Sequence, residues 1–106
     1  MMQDVILSQV PGEQIASSYQ WINIEHDDQR VGKLRGQPRG SSFVINSIQI
    51  FPEYERKGFA RQTVEAIEHE YNPVIADRVR YSARGFWKKL GFEPCSDGNY
   101  IYDREA

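Results

Sequence analysis

The sequence predicts a single α/β (α+β) domain with the element order β-β-β-α-β-α-β-β. Alternating, strand-like segments fill the first half of the chain, and helix-like periodicity appears twice in the second half. The length of 106 residues is that of one ordinary domain, and no repeat, low-complexity tract or linker divides it. We therefore expect residues 1–106 to form one domain around one core.

Three strands are predicted before the first helix, because three segments are rich in aromatic and β-branched residues and end in turn signals. They cover residues 18–25, 30–35 and 42–51. Turns are predicted at residues 26–29 and 37–40. Pro52 ends the third strand because proline has no N–H to donate to a ladder. Residues 1–16 are ambiguous, and an apolar run at residues 5–10 allows one more short strand.

Helical spacing begins after Gly58. Apolar side chains then recur every three or four residues, with glutamates on the other side. The apolar positions are Ala60, Val64, Ile67 and Tyr71, and the glutamates are Glu65, Glu68 and Glu70. Asn72-Pro73 ends this helix, because the residue before a proline avoids the helical region. Residues 74–79 then predict a short strand.

A second helix is predicted from Ser82, whose hydroxyl suits the N-cap position. Its apolar face contains Ala83, Phe86, Trp87 and Leu90. Gly91 suits the left-handed position that commonly ends a helix. Residues 92–95 and 99–102 flank a Ser-Asp-Gly turn, so they predict a closing hairpin.

Composition excludes several classes of protein. No apolar run approaches the roughly 18 residues needed to span a bilayer, and the N-terminus lacks the basic and apolar stretches of a secretory signal. The single cysteine, Cys95, excludes an internal disulfide framework and any multi-cysteine metal site. We therefore expect a cytoplasmic protein with no metal centre and no membrane partner.

Basic residues are concentrated in three groups although the net charge is −2. Nucleic-acid binding would require a stronger overall basic balance. A small polyphosphate ligand needs only a few local cations and fits better, while solvated surface charge is the alternative for any one group. The groups are Arg30, Lys33, Arg35 and Arg39; Arg56, Lys57 and Arg61; and Arg78, Arg80, Arg84, Lys88 and Lys89.

The strand-to-helix junction at residues 45–62 carries the sharpest functional signal. An apolar strand ends at Phe51-Pro52, a charged segment follows, and Gly58 opens the helix. Backbone N–H groups at such a junction lack intrahelical partners and lie at the positive end of the helix dipole. The basic pair Arg56-Lys57 adds side-chain charge. These features predict a phosphate site, and hence a nucleotide-like ligand.

Two motifs in this order resemble the GNAT superfamily of acyl-CoA-dependent N-acetyltransferases. The first motif is Ile45-x-x-Ile48-x-Ile50-x-Pro52 followed by Glu55-Arg56-Lys57-Gly58-Phe59-Ala60, and it resembles the family's Q/R-x-x-G-x-G/A pyrophosphate loop. The second motif is Ala83-x-x-Phe86-Trp87-x-Lys89-x-Gly91-Phe92, and it is similar to the family's A-x-x-F-Y-x-K-x-G-F helix and strand. The resemblance covers residues 18–102 and implies a mixed, mainly antiparallel sheet with two helices.

The resemblance implies that acetyl-CoA is the acetyl donor. In the family, the loop entering the first helix holds the pyrophosphate, the strand before it pairs with the pantetheine amide, and the second helix walls the pantetheine. The matching positions here are Ile48, Ile50, Arg56, Lys57, Gly58, Phe59, Ala60, Arg61, Phe86, Trp87 and Lys89. The alternative for Ile48, Ile50, Phe86 and Trp87 is a role in the core alone.

Three positions depart from the family pattern. Glu55 stands where the family usually has Gln or Arg, and Arg80 stands where many members have Asn. Trp87 replaces the tyrosine that often protonates the departing thiolate, and an indole N–H has no useful acidity for that role. Tyr81 is the candidate acid, because a phenol with a pKa of about 10 suits thiolate protonation. A structural tyrosine is the alternative.

Candidate bases are Glu25, His26 and Asp27 at a strand end, each with the alternative of an ordinary turn residue. Two interpretations are open for Cys95: it carries an acyl intermediate, or it is a buried, inert thiol, which is the commoner case. His69 lies on a charged helix and is expected to be solvated. Backbone N–H groups of the strand at Ile48–Ile50 are expected to stabilise the developing oxyanion.

The expected reaction is acetyl transfer to a lysine or terminal amine of a protein. The stretch before residue 18 is too short for the two helices that shape the acceptor pocket in ordinary family members, so an open acceptor side is expected. A homodimer would rebuild that wall. The competing interpretations are a non-catalytic module that binds acetyl-CoA and an interaction protein that has lost the cofactor. Gly58 and Ala60 argue against the last.

Overall fold

The computed structural model describes residues 5–9 and 20–105 and contains one seven-stranded sheet. Its strands are β1 (Ile6–Gln9), β2 (Gln20–His26), β3 (Gln29–Arg39), β4 (Ser42–Ile50), β5 (Val74–Ala76), β6 (Glu93–Pro94) and β7 (Tyr100–Tyr102), and its helices are α1 (Phe59–Glu70) and α2 (Arg84–Lys89). The predicted fold class and the order from β2 onward are confirmed. β1 is one strand more than the predicted order and lies in the apolar run at residues 5–10.

The sheet has the strand order β1-β2-β3-β4-β5-β7-β6. Only β4 and β5 pair in parallel, because α1 connects them as a crossover, and the other pairs are antiparallel. The sheet is therefore mixed and mainly antiparallel, as the resemblance implies. No helix in residues 5–9 and 20–105 is long and apolar enough to cross a membrane.

The hairpins at the front of the chain confirm one predicted turn and correct the other. Asp27 and Asp28 form the turn between β2 and β3, with φ values of 54° and 62°. The second turn was predicted at residues 37–40, but β3 continues through Pro38, which pairs with Phe43. The chain instead turns at Gly40, where φ is 60°. Residues 18 and 19 of the first predicted strand lie outside the described residues.

The core lies between α1 and the sheet. Helix α1 buries Phe59, Thr63, Val64 and Ile67, which recur at helical spacing. They pack against buried residues of the sheet and of α2, among them Ile24, Leu34, Phe43, Ile45, Val74 and Trp87. Burial of this apolar surface is the main force that holds the layers together.

A β-bulge in β4 determines which residues face that core. Ile45 pairs with Gly36 and Ser47 pairs with Arg35, so Asn46 is an extra residue without a partner on β3. Because of this extra residue, Ile45 and Ile48 both pack against the core, although they are three positions apart. Ser47 is exposed on the opposite side.

The second half of the chain corrects two predicted boundaries. β5 ends at Ala76 rather than at residue 79. Helix α2 begins at Arg84, after a 3-10 turn at Tyr81–Ala83, and no side chain caps it. The predicted N-cap role of Ser82 is therefore wrong. The predicted end is confirmed, because Gly91 has a φ of 89°.

Candidate active site

β4 and β5 separate after three residue pairs. The last pair is Ile45 with Ala76, and the N–H of Asp77 then donates to the carbonyl oxygen of Ile45 at 2.9 Å. β4 continues to Ile50 but pairs only with β3 over that stretch. One edge of its backbone therefore faces a cleft of about 370 Å³ instead of a neighbouring strand.

The walls of this β4–β5 cleft combine polar and apolar side chains. Its lining residues are Lys33, Ile45, Asn46, Ser47, Ile48, Gln49, Ala76, Asp77, Arg78, Val79, Arg80, Ala83 and Trp87. Asn46 spans the two sides, because its Nδ2 donates to Oδ2 of Asp77 at 3.2 Å. The Oδ1 atom of Asn46 is buried and has no partner in the described part of the chain. A buried, unpaired acceptor of this kind is a candidate contact for a ligand N–H.

The segment after β4 forms a second concave surface. A 3-10 turn at Pro52–Tyr54 leads to Gly58, the N-cap residue of α1, whose φ is 84° and which makes no side-chain capping bond. The first N–H groups of α1 therefore point outward without intrahelical partners. The cleft beside them measures about 310 Å³ and is lined by Ile50, Tyr54, Glu55, Arg56, Gly58, Phe59, Ala60, Arg61 and Phe86.

The predicted basic residues of this Gly58 cleft differ in their surroundings. Arg56 is exposed, has a left-handed φ of 66°, and forms no ion pair with a described carboxylate. Arg61 is paired, because its Nε lies 3.1 Å from Oε2 of Glu65. Lys57 is exposed and is not among the residues that line the cleft. Of the two described cations that line this cleft, Arg56 is therefore the one without an ion-pair partner.

The second predicted motif reaches both clefts. Phe86 lines the Gly58 cleft together with Ile50 and Ala60. Trp87 is only 5% exposed and borders the β4–β5 cleft. Its ring lies 5.0 Å from that of Phe86 and 4.8 Å from that of Phe92, centroid to centroid. Lys89 is exposed and lines neither cleft.

The candidate acid and bases lie outside these two clefts. Tyr81 is 83% exposed, and the guanidinium carbon of Arg84 stands 5.0 Å from its ring centroid. Glu25 accepts a hydrogen bond from Oγ of Ser8 at 3.3 Å. The other two bases are His26, whose ring lies 4.7 Å from that of Phe59, and Asp27 in its exposed turn.

The remaining reactive side chains are also peripheral. Cys95 is exposed, contrary to the expectation of a buried thiol, and lies in the turn that joins β6 and β7. His69 is exposed on α1, as expected. Within residues 5–9 and 20–105, no cluster of His, Cys, Asp and Glu is arranged to hold a metal ion.

Sequence reasoning missed Asn46 and Asp77, and it named Arg78 only as a member of a basic group, without a place in a cleft. Asn46 enters it because of the bulge, which no local pattern in the sequence reveals. Arg78 adopts a left-handed φ of 49°, and its N–H donates to Oδ1 of Asn99 at 2.8 Å. In a sequence, a left-handed turn residue is usually indicated by Gly, Asn or Asp. An arginine at such a position gives no indication of it.

Known proteins share this architecture. A family model for an acetyltransferase (GNAT) domain matches residues 17–94. No curated protein sequence matches the chain significantly.

Solved structures resemble the fold at low sequence identity. YhhK from E. coli bound to coenzyme A has a TM-score of 0.74 at 11% identity, over 95% of this chain and 99% of that one. A GNAT family acetyltransferase from Elizabethkingia anophelis with acetyl-CoA bound has a TM-score of 0.70 at 8% identity, over 96% and 99%. An acetyltransferase from Thermus thermophilus has a TM-score of 0.69 at 16% identity, over 85% and 67%. With the family model matching most of its length, the chain belongs to the GNAT acetyltransferase family.

Proposed function

We propose that this protein binds acetyl-CoA across its two clefts and transfers the acetyl group to an amine. The observation that carries the proposal is the unpaired edge of β4, which leads to the open N-terminus of α1 at Gly58. Similar folds hold acetyl-CoA in the E. anophelis protein and coenzyme A in YhhK. Acetyl-CoA would supply an acyl thioester that is activated toward attack by an amine.

The residues present fit such a cofactor. A Cβ built on Gly58 would meet no atom within 4 Å, so the space in front of the helix is open for a phosphate. The N–H groups of Phe59, Ala60 and Arg61 would donate to the pyrophosphate, and Arg56 would add charge. The unpaired Oδ1 of Asn46 and the edge of β4 offer acceptors and donors for an amide chain.

The cleft walls would orient the thioester and limit its contact with water. Phe86 would cover the chain at the Gly58 cleft, and Trp87 would close the base of the β4–β5 cleft, where its indole is buried. Backbone N–H groups of Ile48–Ile50 would stabilise the negative charge that develops on the carbonyl oxygen. The amine would have to arrive neutral. As its nitrogen bonds to the carbonyl carbon and the C–S bond breaks, the proton that the amine loses would pass to the leaving thiolate through water or through a side chain of the acceptor.

A lysine or terminal amine of a protein is the proposed acceptor. Ser47 and Gln49 are exposed on the wall of the β4–β5 cleft, so the cleft is continuous with the surface of the sheet. A macromolecular amine reaches such a site more readily than it reaches an enclosed pocket. A cytoplasmic location belongs to this proposal, because acetyl-CoA and protein lysines meet there.

A second candidate function is a non-catalytic module that binds acetyl-CoA. The position of Tyr81 favours it, because this candidate acid is 83% exposed and lines neither cleft. Trp87 offers no acidity in its place.

Transfer of an isotope-labelled acetyl group separates the two candidates. The protein would be incubated with labelled acetyl-CoA and a proteolysate, and acetylated peptides would be identified by mass spectrometry. Enzyme-dependent label on lysines or N-termini is expected. Thermal stabilisation by acetyl-CoA without labelled product would favour the binding module. Absence of stabilisation at millimolar acetyl-CoA would contradict both candidates.

A further inference from the structure

Three cations line the β4–β5 cleft, and the described part of the chain does not neutralise them. They are Lys33 on β3 and Arg78 and Arg80 after β5. Within residues 5–9 and 20–105, none of the three forms an ion pair with a carboxylate. Among the described lining residues the one acid is Asp77, which already accepts a hydrogen bond from Asn46. The cleft therefore carries a local excess of positive charge in a chain whose net charge is −2.

The structure fixes the backbone at Arg78 and places the side chain of Lys33 against an aromatic ring. Arg78 keeps a left-handed backbone, which costs free energy for a residue with a Cβ. Its N–H donates to Asn99, and the N–H of Asn99 donates in turn to Asp97 at 3.0 Å. On the other side of the cleft, Nζ of Lys33 stands 5.4 Å from the ring centroid of Trp21.

The Gly58 cleft does not share these cations. Its own basic residues are Arg56 and Arg61, and no residue lines both clefts. A cofactor phosphate bound at the N-terminus of α1 would therefore leave Lys33, Arg78 and Arg80 to another anionic ligand. Their position on two sides of the β4–β5 cleft suits a ligand that spans it.

We propose that the acceptor amine lies in an acidic polypeptide segment, whose carboxylates contact Lys33, Arg78 and Arg80. This inference rests on the proposed function, because it names the chemistry of the acceptor at the same site. The exposed polar side chains of Ser47 and Gln49 on the wall of this cleft suit a polypeptide segment that approaches from the surface of the sheet. Nucleic acid fits less well, because three cations in a chain of net charge −2 form only a small basic surface.

Three synthetic peptides test the inference. Each contains one lysine, flanked by Glu, by Ala or by Arg, and kcat/KM for acetylation is measured with acetyl-CoA. We expect the Glu-flanked peptide to exceed the Ala-flanked one by about tenfold at low salt, with the Arg-flanked peptide slowest. Raising the salt from about 0.05 M to about 0.5 M should shrink the difference.

Charge reversal identifies the residues responsible. Arg80→Glu should lower kcat/KM for the Glu-flanked peptide about tenfold and raise it for the Arg-flanked peptide. Lys88→Glu is the matched control, because Lys88 is also exposed and lines neither cleft. With Lys88→Glu, the order of kcat/KM among the three peptides should be that of the wild type. The affinity of both variants for acetyl-CoA, measured by calorimetry, should equal that of the wild type.

Several results would overturn the inference. Equal rates for the three peptides would do so while leaving the proposed transferase intact. Loss of acetyl-CoA affinity in Arg80→Glu would assign the cation to the cofactor. If oligo-dT displaced a labelled Glu-flanked peptide at a lower concentration than the unlabelled peptide does, the surface would be assigned to nucleic acid.

Peptide binding separates the inference from the proposed function. Anisotropy of a fluorescent Glu-flanked peptide, with acetyl-CoA present, reports binding without requiring transfer. Selective binding that Arg80→Glu weakens, without acetylation of any peptide, would support the acidic partner and contradict the transferase.

Discussion

At the scale of single residues, Gly58 links backbone conformation to ligand binding. Its φ of 84° and ψ of 10° lie in the left-handed region, which glycine adopts without steric cost. An added Cβ would have open space around it, so a side chain at this position would strain the backbone without clashing with other protein atoms. A ligand in front of α1 would meet that side chain directly.

Gly58→Glu should therefore lose acetyl-CoA binding. The variant places a carboxylate where the pyrophosphate is proposed to bind, and calorimetry should show an affinity at least about a hundredfold lower. The left-handed conformation should also lower the free energy of unfolding in urea by about 1 kcal/mol.

Gly40→Glu is the matched control for this effect. Gly40 has a φ of 60° and open space around an added Cβ, but it lies in the β3–β4 turn. It should cost similar stability and keep full affinity for acetyl-CoA. Wild-type affinity in Gly58→Glu would show that the cofactor loop has been assigned incorrectly.

Trp87 is the residue on which the aromatic packing of α2 depends. It is 5% exposed and contacts the rings of both Phe86 and Phe92. Trp87→Ala should lower the free energy of unfolding by about 3–5 kcal/mol, because it removes a large buried ring. Phe86→Ala should cost less, since Phe86 is only half-buried. Urea denaturation of both variants measures the difference, and equal losses would contradict this account.

At the scale of elements, α1 places the carboxyl of Glu68 where its charged form is disfavoured. Burial raises the pKa of Glu68, and the nearby Glu65 raises it further, while His69 and Arg104 act in the opposite direction. Glu68 also lies near the C-terminal end of α1, where the helix dipole disfavours negative charge. Ionisation of Glu68 therefore weakens the folded state.

The sign of the resulting pH dependence follows from the raised pKa. The contribution of protonated Glu68 to stability is fully present below the unfolded-state pKa and is lost as pH rises through the folded-state pKa. Glu68→Gln should modestly raise the urea midpoint at pH 7, and this gain should vanish near about pH 4.

The control for Glu68→Gln is Glu70→Gln, which removes an exposed carboxylate from the same end of α1. The gain in midpoint at pH 7 should be larger for Glu68→Gln than for this control. A gain of the same size for Glu68→Gln at both pH values would contradict the proposed titration.

The sequence predicted an element well where residues at its own boundary determine its end. Pro52 stops β4, the Asp27-Asp28 pair turns the first hairpin, and Gly91 follows α2 in a left-handed conformation. The elements it predicted less well depend on partners that are distant in the chain. β5 stops at Ala76 because β4 diverges from it, and Pro38 remains in β3 because Phe43 pairs with it.

The same division applies to the site. The turn at Gly58 and the helix that carries Phe86 were predictable, because each belongs to a local motif, and both line one cleft. Asn46 and Arg78 were not, since a bulge and a left-handed residue place them in the cleft. The candidate acid Tyr81 follows from the acidity of its phenol and its place before the second helix, and sequence gives no signal for the 83% exposure of its side chain.

At the scale of the whole molecule, the sheet consists of two parts joined by a short seam. The first part contains β1–β4 and the second contains β5–β7. Three residue pairs between β4 and β5 connect them, and the cleft opens where the seam ends at Ile45 and Ala76. A cofactor bound in the cleft would contact both parts of the sheet where β4 and β5 no longer pair with each other.

Hydrogen exchange should reveal this bridging. On addition of acetyl-CoA, amides of Ile48–Ile50 and of the first turn of α1 should exchange about tenfold or more slowly, because a bound ligand disfavours the local opening that permits exchange. Amides at residues 77–80, in the second part of the sheet, should slow by a similar factor. Gly58→Glu treated in the same way should show neither effect. Slowing confined to the first turn of α1 would mean that the cofactor occupies only the Gly58 cleft, and the unpaired edge of β4 would then have no part in holding it.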